Sequence, residues 1–155
     1  MKLRAPLEVG IAVRDLPRML DFYVRVLGCK KISEIAVPAD KTRLNGLAPD
    51  GCTIARLETS YGERIKLLAA ASTLPARSGQ WLLERAGFAY LTFIIDDIDG
   101  RHARLAAHGV DLASEKPIEN RPGLRVLFFK DPEGNTLELV EYADLASYRP
   151  NLAKR

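Results

Sequence analysis

The sequence predicts an α+β fold in which two βαβββ modules form a curved mixed sheet around a shared cavity. Three observations predict it. Residues 7–13 alternate between apolar and polar side chains, which indicates a strand. An apolar helical stripe follows between the cap Asp15 and Gly28, and three more strand-like segments come after it. The same order of elements then recurs in the second half of the chain.

Module one is expected to cover about residues 6–70, followed by a linker at about 71–86. The apolar stripe of its helix is expected to consist of Leu16, Leu20, Tyr23, Val24 and Leu27. Its later strands are predicted at 30–37, 52–58 and 64–69. The stretch 38–51 is rich in Pro, Gly, Asn and Asp, which predicts a loop, and a short helix is expected at 81–87.

Module two is expected to cover about residues 87–142, with a polar tail at 143–155 that has room for one turn of helix. A strand is predicted at 88–95 and a helix at 96–109, capped by Asp97. The remaining strands are predicted at 110–119, 124–130 and 136–142, with a turn at "DPEGN" before the last one. At 155 residues the whole chain suits a single domain with both modules inside it.

Composition excludes several classes of function. The net charge is only +3, and the basic residues are scattered, so we expect no nucleic-acid binding. No stretch approaches the roughly 20 apolar residues of a membrane span, and the first residues do not resemble a signal peptide. Two cysteines without a CxxC motif favour a reducing compartment. We therefore expect a cytoplasmic protein that does not contact a membrane.

Strand alternation selects the side chains that face the predicted cavity. On the first strand, the apolar residues pack against the helix, so Glu8 points to the opposite side, which faces the cavity. The same alternation on the fifth strand places Tyr90 on its cavity side. Glu8 and Tyr90 each precede a helix cap by seven residues. Lys66 and Glu138 each follow a glycine by four residues on a later strand. Four polar residues, two in each module, therefore occupy matching positions in the repeat.

Three segments carry a resemblance to a known family: "EVGIAVRDLPRMLDFYVRVLG", "AYLTFIIDDID" and "FFKDPEGNTLELVE". They resemble the vicinal oxygen chelate superfamily, which includes glyoxalase I, methylmalonyl-CoA epimerase, extradiol dioxygenases, and the bleomycin and fosfomycin resistance proteins. The resemblance covers about residues 6–142 and is more specific for the fold than for the reaction. It also implies a homodimer, with a cavity formed within one chain or between two.

The resemblance implies a divalent metal held at the four matching positions, usually by His and Glu side chains. Only Glu138 matches that pattern outright, and Lys66 stands where a carboxylate is often found. A protonated lysine cannot ligate a metal, so we interpret Lys66 as a covalent cation in place of the ion and expect no metal and no cofactor. If Lys66 is fully buried, Lys66→Ala should cost on the order of 3 kcal/mol.

The sequence leaves three functions open. The first is a metal-independent isomerase, epimerase or lyase on a small carbonyl or carboxylate compound, with Glu8, Lys66, Tyr90 and Glu138 as catalytic residues. The second is a metal-free protein of the bleomycin-resistance type that sequesters an aromatic or drug-like ligand, and the third is a divalent-metal lyase or dioxygenase. The quartet also has a purely structural interpretation, in which it fills a pocket that has lost its metal. The candidate ligand-binding residues are Arg56, Arg64, Phe88, Thr92 and Phe128.

Overall fold

The computed structural model describes residue 6 and residues 8–75 and 90–150. The chain divides into two compact units, and the boundary between residues 77 and 78 lies inside the stretch predicted as a linker. Each unit carries its own four-stranded mixed sheet with helices. The predicted α+β class and the two-module architecture are therefore confirmed, with one sheet in each module.

Module one repeats the predicted order, with one additional helix. Its sheet has the order β1-β4-β3-β2, in which β1 runs parallel to β4 and the other neighbours are antiparallel. A β-bulge interrupts the register of β2 on β3 between Lys31 and Ser33. The elements in chain order are β1 (Glu8–Val13), α1 (Leu16–Asp21), β2 (Lys30–Val37), α2 (Ala39–Leu44), β3 (Cys52–Glu58) and β4 (Arg64–Ala70).

The first helix begins at the predicted cap but changes its winding partway along. Asp15 Oδ1 accepts a hydrogen bond from the Arg18 amide at 3.0 Å. After α1 the chain continues as a π-helical segment over Phe22–Val26, and Gly28 then ends it with φ of +80°. Of the predicted apolar stripe, Leu16 and Tyr23 are buried, whereas Leu20, Val24 and Leu27 are only half-buried. The side chains that are buried are Leu16, Met19, Phe22, Tyr23 and Val26.

The prediction of a loop throughout 38–51 is wrong, because the chain forms α2 there. Pro38 precedes this helix, where its missing N–H costs no helical hydrogen bond. Thr42 is fully buried, and its hydroxyl donates to the Ala39 carbonyl at 3.3 Å. A buried side chain with a satisfied hydroxyl anchors one turn of helix inside a segment whose composition favours loops.

Module two has the same sheet topology as module one. The strand order is β5-β8-β7-β6, and β5 runs parallel to β8. The other neighbours are antiparallel, with a register shift in β6. The described elements in chain order are β5 (Tyr90–Ile94), α3 (Ile98–Ala107), β6 (Ile118–Arg121), β7 (Leu124–Lys130), β8 (Thr136–Tyr142) and α4 (Leu145–Tyr148).

Charged side chains fix the start of α3 against the sheet. Asp97 Oδ1 accepts from the Gly100 amide at 3.0 Å, which confirms the predicted cap. Glu141 on β8 accepts from the Ile98 amide at 3.2 Å. The Arg125 guanidinium donates to both Asp99 oxygens, at 2.7 and 2.5 Å, and this hydrogen bonding holds the pKa of Asp99 below its usual range.

A strand over 110–119 is the second wrong element. Only an isolated bridge from Leu112 to Phe129 and the short β6 occur there. Ser114 Oγ donates to the Lys116 carbonyl at 2.8 Å, and Pro117 has no amide hydrogen for a sheet ladder. The predicted short helix at 81–87 and residues 88–89 lie outside the described residues. Within the ranges the structure describes, no helix is long and apolar enough to span a membrane.

Candidate functional site

Each sheet has one face that packs against its helices and one face that is left open. On β1 the side chains of Val9, Ile11 and Val13 are the more buried set, whereas Glu8, Gly10 and Ala12 are exposed. On β5 the same division separates Leu91 and Phe93 from Tyr90, Thr92 and Ile94. The predicted alternation is therefore confirmed within each module. We call the exposed side of each sheet its open face.

The strand registers of the two modules correspond residue by residue. Lys66 and Glu138 each lie at the third position of the strand that pairs in parallel with the first strand of the module. The corresponding pairs are Glu8–Arg64 with Tyr90–Thr136, Gly10–Lys66 with Thr92–Glu138, and Arg56–Lys66 with Phe128–Glu138. The structure thus supports equivalent positions, while the charges placed on them differ between modules.

The open face of module one carries a row of alternating charges. Lys66 Nζ lies 3.1 Å from Glu8 Oε2, and Arg64 Nε lies 3.1 Å from Glu58 Oε2. A longer contact of 3.9 Å joins Arg64 to Glu8. Sequence reasoning overlooked Glu58, although it lies directly opposite Arg64 in the β3–β4 register and has the same alternation as Arg56. Glu8, Arg64 and Lys66 are thus brought together as predicted.

Full burial of Lys66 is the expectation that the structure overturns. Its side chain is 31% exposed and that of Glu8 is 36% exposed, so water reaches both charges. Partial hydration weakens the Coulomb attraction and also removes most of the desolvation penalty. Gly10, the neighbour of Lys66 on β1, has no side chain that could cover the lysine.

We therefore expect Lys66→Ala to cost only about 0.5–1 kcal/mol in the free energy of unfolding. Urea denaturation monitored by circular dichroism measures this change. Lys31→Ala is the matched control, because Lys31 forms an ion pair with Glu34 at 2.6 Å with 45% and 39% exposure. A loss above about 2 kcal/mol for Lys66→Ala alone would contradict the partly hydrated pair.

The open face of module two combines one carboxylate with an aromatic pair. Thr92 Oγ1 donates a hydrogen bond of 2.6 Å to Glu138 Oε2. The Tyr90 ring meets the Phe128 ring edge-to-face, with centroids 5.3 Å apart and an interplanar angle of 89°. The threonine hydroxyl fixes the orientation of the carboxylate and leaves the other oxygen available. Phe88, the remaining predicted ligand-binding residue, lies outside the described residues.

The donors of module one do not suit the metal that the family resemblance implies. A divalent ion requires deprotonated ligands, and the Lys66 ammonium lies against the Glu8 carboxylate that would be one of them. Neither sheet offers a histidine on its open face among the described strands. Within the same ranges, no group of three His, Cys, Asp or Glu side chains is placed to hold a metal ion. We therefore assign no chemical step to a metal.

The two cysteines of the chain both lie in buried positions in module one. A hollow of about 670 Å³ in module one is lined by Cys52, Asp50 and Arg14 together with small residues such as Ala69 and Ala70. Cys29 is buried, and burial raises the pKa of its thiol to about 11. A thiol of that kind is a poor nucleophile at neutral pH, so Cys29 has a packing role.

Comparisons with known proteins agree on one family. The sequence profile of the Glyoxalase/Bleomycin resistance protein/Dioxygenase superfamily matches residues 6–139. The chain is 27% identical over 141 residues to a lactoylglutathione lyase of Schizosaccharomyces pombe, and the match covers 86% of the chain but only 46% of that enzyme. It is 28% identical to the uncharacterized protein YaeR of Escherichia coli, covering 86% of the chain and 93% of YaeR. A glyoxalase family protein from Bacillus cereus superposes with a TM-score of 0.75 at 25% identity, covering 92% of this chain and 96% of that one.

Proposed function

The chain belongs to the Glyoxalase/Bleomycin resistance protein/Dioxygenase superfamily, and we propose that it is a metal-independent isomerase, epimerase or lyase. Its substrate would be a small carbonyl or carboxylate compound. The observation that carries the proposal is the position of Lys66, whose ammonium lies 3.1 Å from Glu8 where the family resemblance implies a metal ligand. A fixed cation at that position supplies positive charge without a metal.

We assign a separate role to each residue of the quartet, Glu8, Lys66, Tyr90 and Glu138. In module two, Glu138 is the base that removes a proton from the carbon next to a carbonyl. The electron pair of the broken C–H bond then shifts toward the carbonyl, whose oxygen takes the negative charge of an enolate. Thr92 orients Glu138 through the 2.6 Å hydrogen bond. Tyr90 is the hydroxyl donor proposed for the enolate oxygen. In module one, the Glu8–Lys66 pair supplies the cation that stabilises negative charge on the substrate.

The lyase class has support from one relative. The Schizosaccharomyces pombe protein is named for lactoylglutathione, a thioester of a 2-hydroxy acid. The chain spans less than half of that enzyme, so we take from it the reaction class and one test substrate. Removal of a proton next to a carbonyl is a step that an oriented carboxylate is suited to perform, which makes proton exchange the observable of choice.

Proton exchange in D₂O tests the proposal. The protein, treated with EDTA, is incubated with S-lactoylglutathione, methylmalonyl thioesters and simple 2-keto acids, and ¹H NMR follows the loss of the proton next to the carbonyl together with product signals. We expect exchange with at least one of these compounds, at a rate that added Mn²⁺, Ni²⁺ or Zn²⁺ does not raise. Activity that disappears with EDTA and returns with one of these ions would refute metal independence.

A ligand-sequestering function is the second candidate, and one observation favours it. Tyr90 and Phe128 present an edge-to-face aromatic pair on the open face, and Tyr90 is 44% exposed. Exposed aromatic rings on a sheet are suited to stacking on a flat ligand. Binding of this kind needs no base, so a Phe128→Ala variant should lose affinity for an aromatic ligand while Glu138→Gln should retain it.

We also propose that the protein acts as a homodimer, as the family resemblance implies, and that it is located in the cytoplasm, as its composition and cysteine usage favour. Analytical ultracentrifugation of the purified chain measures the oligomeric state directly. A single species with the mass of one chain, at concentrations up to about 100 μM, would remove the dimer from the proposal.

A further inference from the structure

We infer that Arg56 and Lys66 form an anion-binding subsite on the open face of module one, and that it takes a carboxylate group of a small molecule. The inference deepens the proposed function, because it names the charged group by which the substrate is held. The inference rests on the proposed function only where it identifies the bound molecule as the substrate. The binding of a small carboxylate to this face is a separate property that can be measured without turnover.

The first observation is a pair of like charges placed directly opposite each other. Arg56 on β3 and Lys66 on β4 are partners in the antiparallel register, so their side chains leave the sheet side by side on the same face. Two cations in directly opposed positions destabilise a sheet pair. When two residues lower the stability of a sheet and have no evident structural role, we expect them to serve a function such as ligand binding.

The second observation concerns the partners of these cations. Arg64 has Glu58, and Lys66 has Glu8, both at 3.1 Å. In the part of the chain that the structure describes, no carboxylate lies within 4 Å of the Arg56 guanidinium. Its one described side-chain partner is Ser33 Oγ at 3.4 Å. The three cations and two carboxylates on the open face of β1, β3 and β4 therefore leave one positive charge in excess on these three strands.

The third observation is the bulge in β2. The register shift after Lys31 places Ser33 directly opposite Arg56, where its hydroxyl meets one end of the guanidinium. A guanidinium has five N–H donors in a planar fork, so most of them stay available to an oxyanion. Lys66 likewise uses one of its three donors on Glu8. Arg56 reaches toward Ser33 on β2 and Lys66 toward Glu8 on β1, so the guanidinium fork would bind both oxygens of a carboxylate and Lys66 would add positive charge from the neighbouring strand.

Module two shows that the fold itself does not require a cation at this place. The residue that corresponds to Arg56 in the repeat is Phe128 on β7, and it lies opposite Glu138 on β8. That position carries an aromatic ring in contact with Tyr90. Because the same sheet position tolerates an apolar ring, the arginine of module one is a property of this face rather than of the βαβββ topology.

Titration of ¹⁵N-labelled protein with sodium acetate, sodium oxalate and inorganic phosphate tests the inference, with sodium chloride at matched ionic strength as the baseline. We expect the carboxylates to shift the amide signals of Arg56, Lys66 and Ser33 in a saturable way. Arg56→Gln should weaken this binding at least 10-fold. Arg18→Gln, which makes the same charge change on the exposed surface of α1, should bind as the wild type does.

Thermal stability separates a binding role from a structural one. Relief of the like-charge contact should leave the melting temperature of Arg56→Gln unchanged or raise it by about 1–3 °C. A melting temperature lowered by more than about 3 °C would overturn the inference by making Arg56 a structural residue. Four other results would also overturn the inference. They are equal binding by wild type and Arg56→Gln, equal weakening in Arg18→Gln, preference for phosphate over both carboxylates, and no saturable shift with any probe. Loss of proton exchange has no bearing on these readouts, so failure of the proposed function stays distinguishable.

Discussion

Glu138→Gln should lower the rate of proton exchange next to a substrate carbonyl by about 10³-fold. A positioned general base contributes about 10²–10⁴ in rate, and an amide cannot accept the proton. The substitution keeps the shape of the side chain and one oxygen, so the Thr92 hydroxyl can still donate to it as it does to the carboxylate at 2.6 Å. The loss should therefore appear in turnover, while folding and ligand binding are preserved. Exchange measured by ¹H NMR in D₂O gives the rate.

Two further variants make the assignment specific. Glu115→Gln removes the same charge from an exposed loop of module two and should exchange as fast as the wild type. Thr92→Val removes only the orienting hydrogen bond, so we expect a loss of about 10-fold, smaller than that of Glu138→Gln. If Glu138→Gln exchanges within 3-fold of the wild type, Glu138 is not the base, and the sequestering function becomes the better interpretation.

The positions on the open faces could be predicted because strand alternation is a strict geometric rule. Glu8 and Tyr90 were placed by their distance from helix caps, and the registers around Lys66 and Glu138 confirm the correspondence. Hydration could not be predicted in the same way. Whether Lys66 is dehydrated depends on what covers the sheet above it, and its side chain is 31% exposed.

The differences at the first helix and at α2 share a physical cause, which is that burial in the folded chain overrides the local sequence signal. Leu20 in α1 and Val24 beyond it fit an ideal helical stripe, but the chain winds as a π-helix over Phe22–Val26, and Phe22 and Tyr23 are buried in succession. The helix α2 exists because burial of Thr42 stabilises a turn that composition disfavours. No sequence period reports either event.

That the two open faces act on one ligand stays a prediction, and so does the role of each quartet residue. The structure establishes pairs inside each module, such as Glu8 with Lys66 and Thr92 with Glu138. The contact between Thr92 and Glu138 is not part of the sequence prediction, which gives Thr92 a role in ligand binding rather than in orienting the carboxylate. Its position directly opposite Glu138 in the parallel register is the signal that identifies it.

Asp131→Ala should lower the free energy of unfolding by about 3 kcal/mol, the largest stability loss that we expect from a polar substitution. Asp131 is 4% exposed in the turn between β7 and β8. Its Oδ1 accepts from the amides of Glu133 at 3.0 Å and Asn135 at 2.9 Å, and its Oδ2 accepts from Asn135 Nδ2 at 2.8 Å. Removal of the carboxylate leaves these donors without their acceptor in a partly buried turn, at about 1–3 kcal/mol for each unsatisfied group. Relaxation of the turn and entry of water offset part of the summed penalty for these unsatisfied donors.

The expected loss corresponds to a melting temperature lower by about 6–12 °C. Differential scanning calorimetry measures it, and Asp111→Ala is the matched control, because Asp111 is 72% exposed and its contact with Lys130 is 3.8 Å long. That control should change the melting temperature by less than about 2 °C. Asp131→Asn should fall between the two, because one oxygen is kept while the new NH₂ group faces a donor. If Asp131→Ala melts within 2 °C of the wild type, the turn is held by its backbone hydrogen bonds alone, such as that from the Gly134 amide to the Asp131 carbonyl at 3.0 Å. The carboxylate would then have no structural role in placing β8, the strand that carries Glu138.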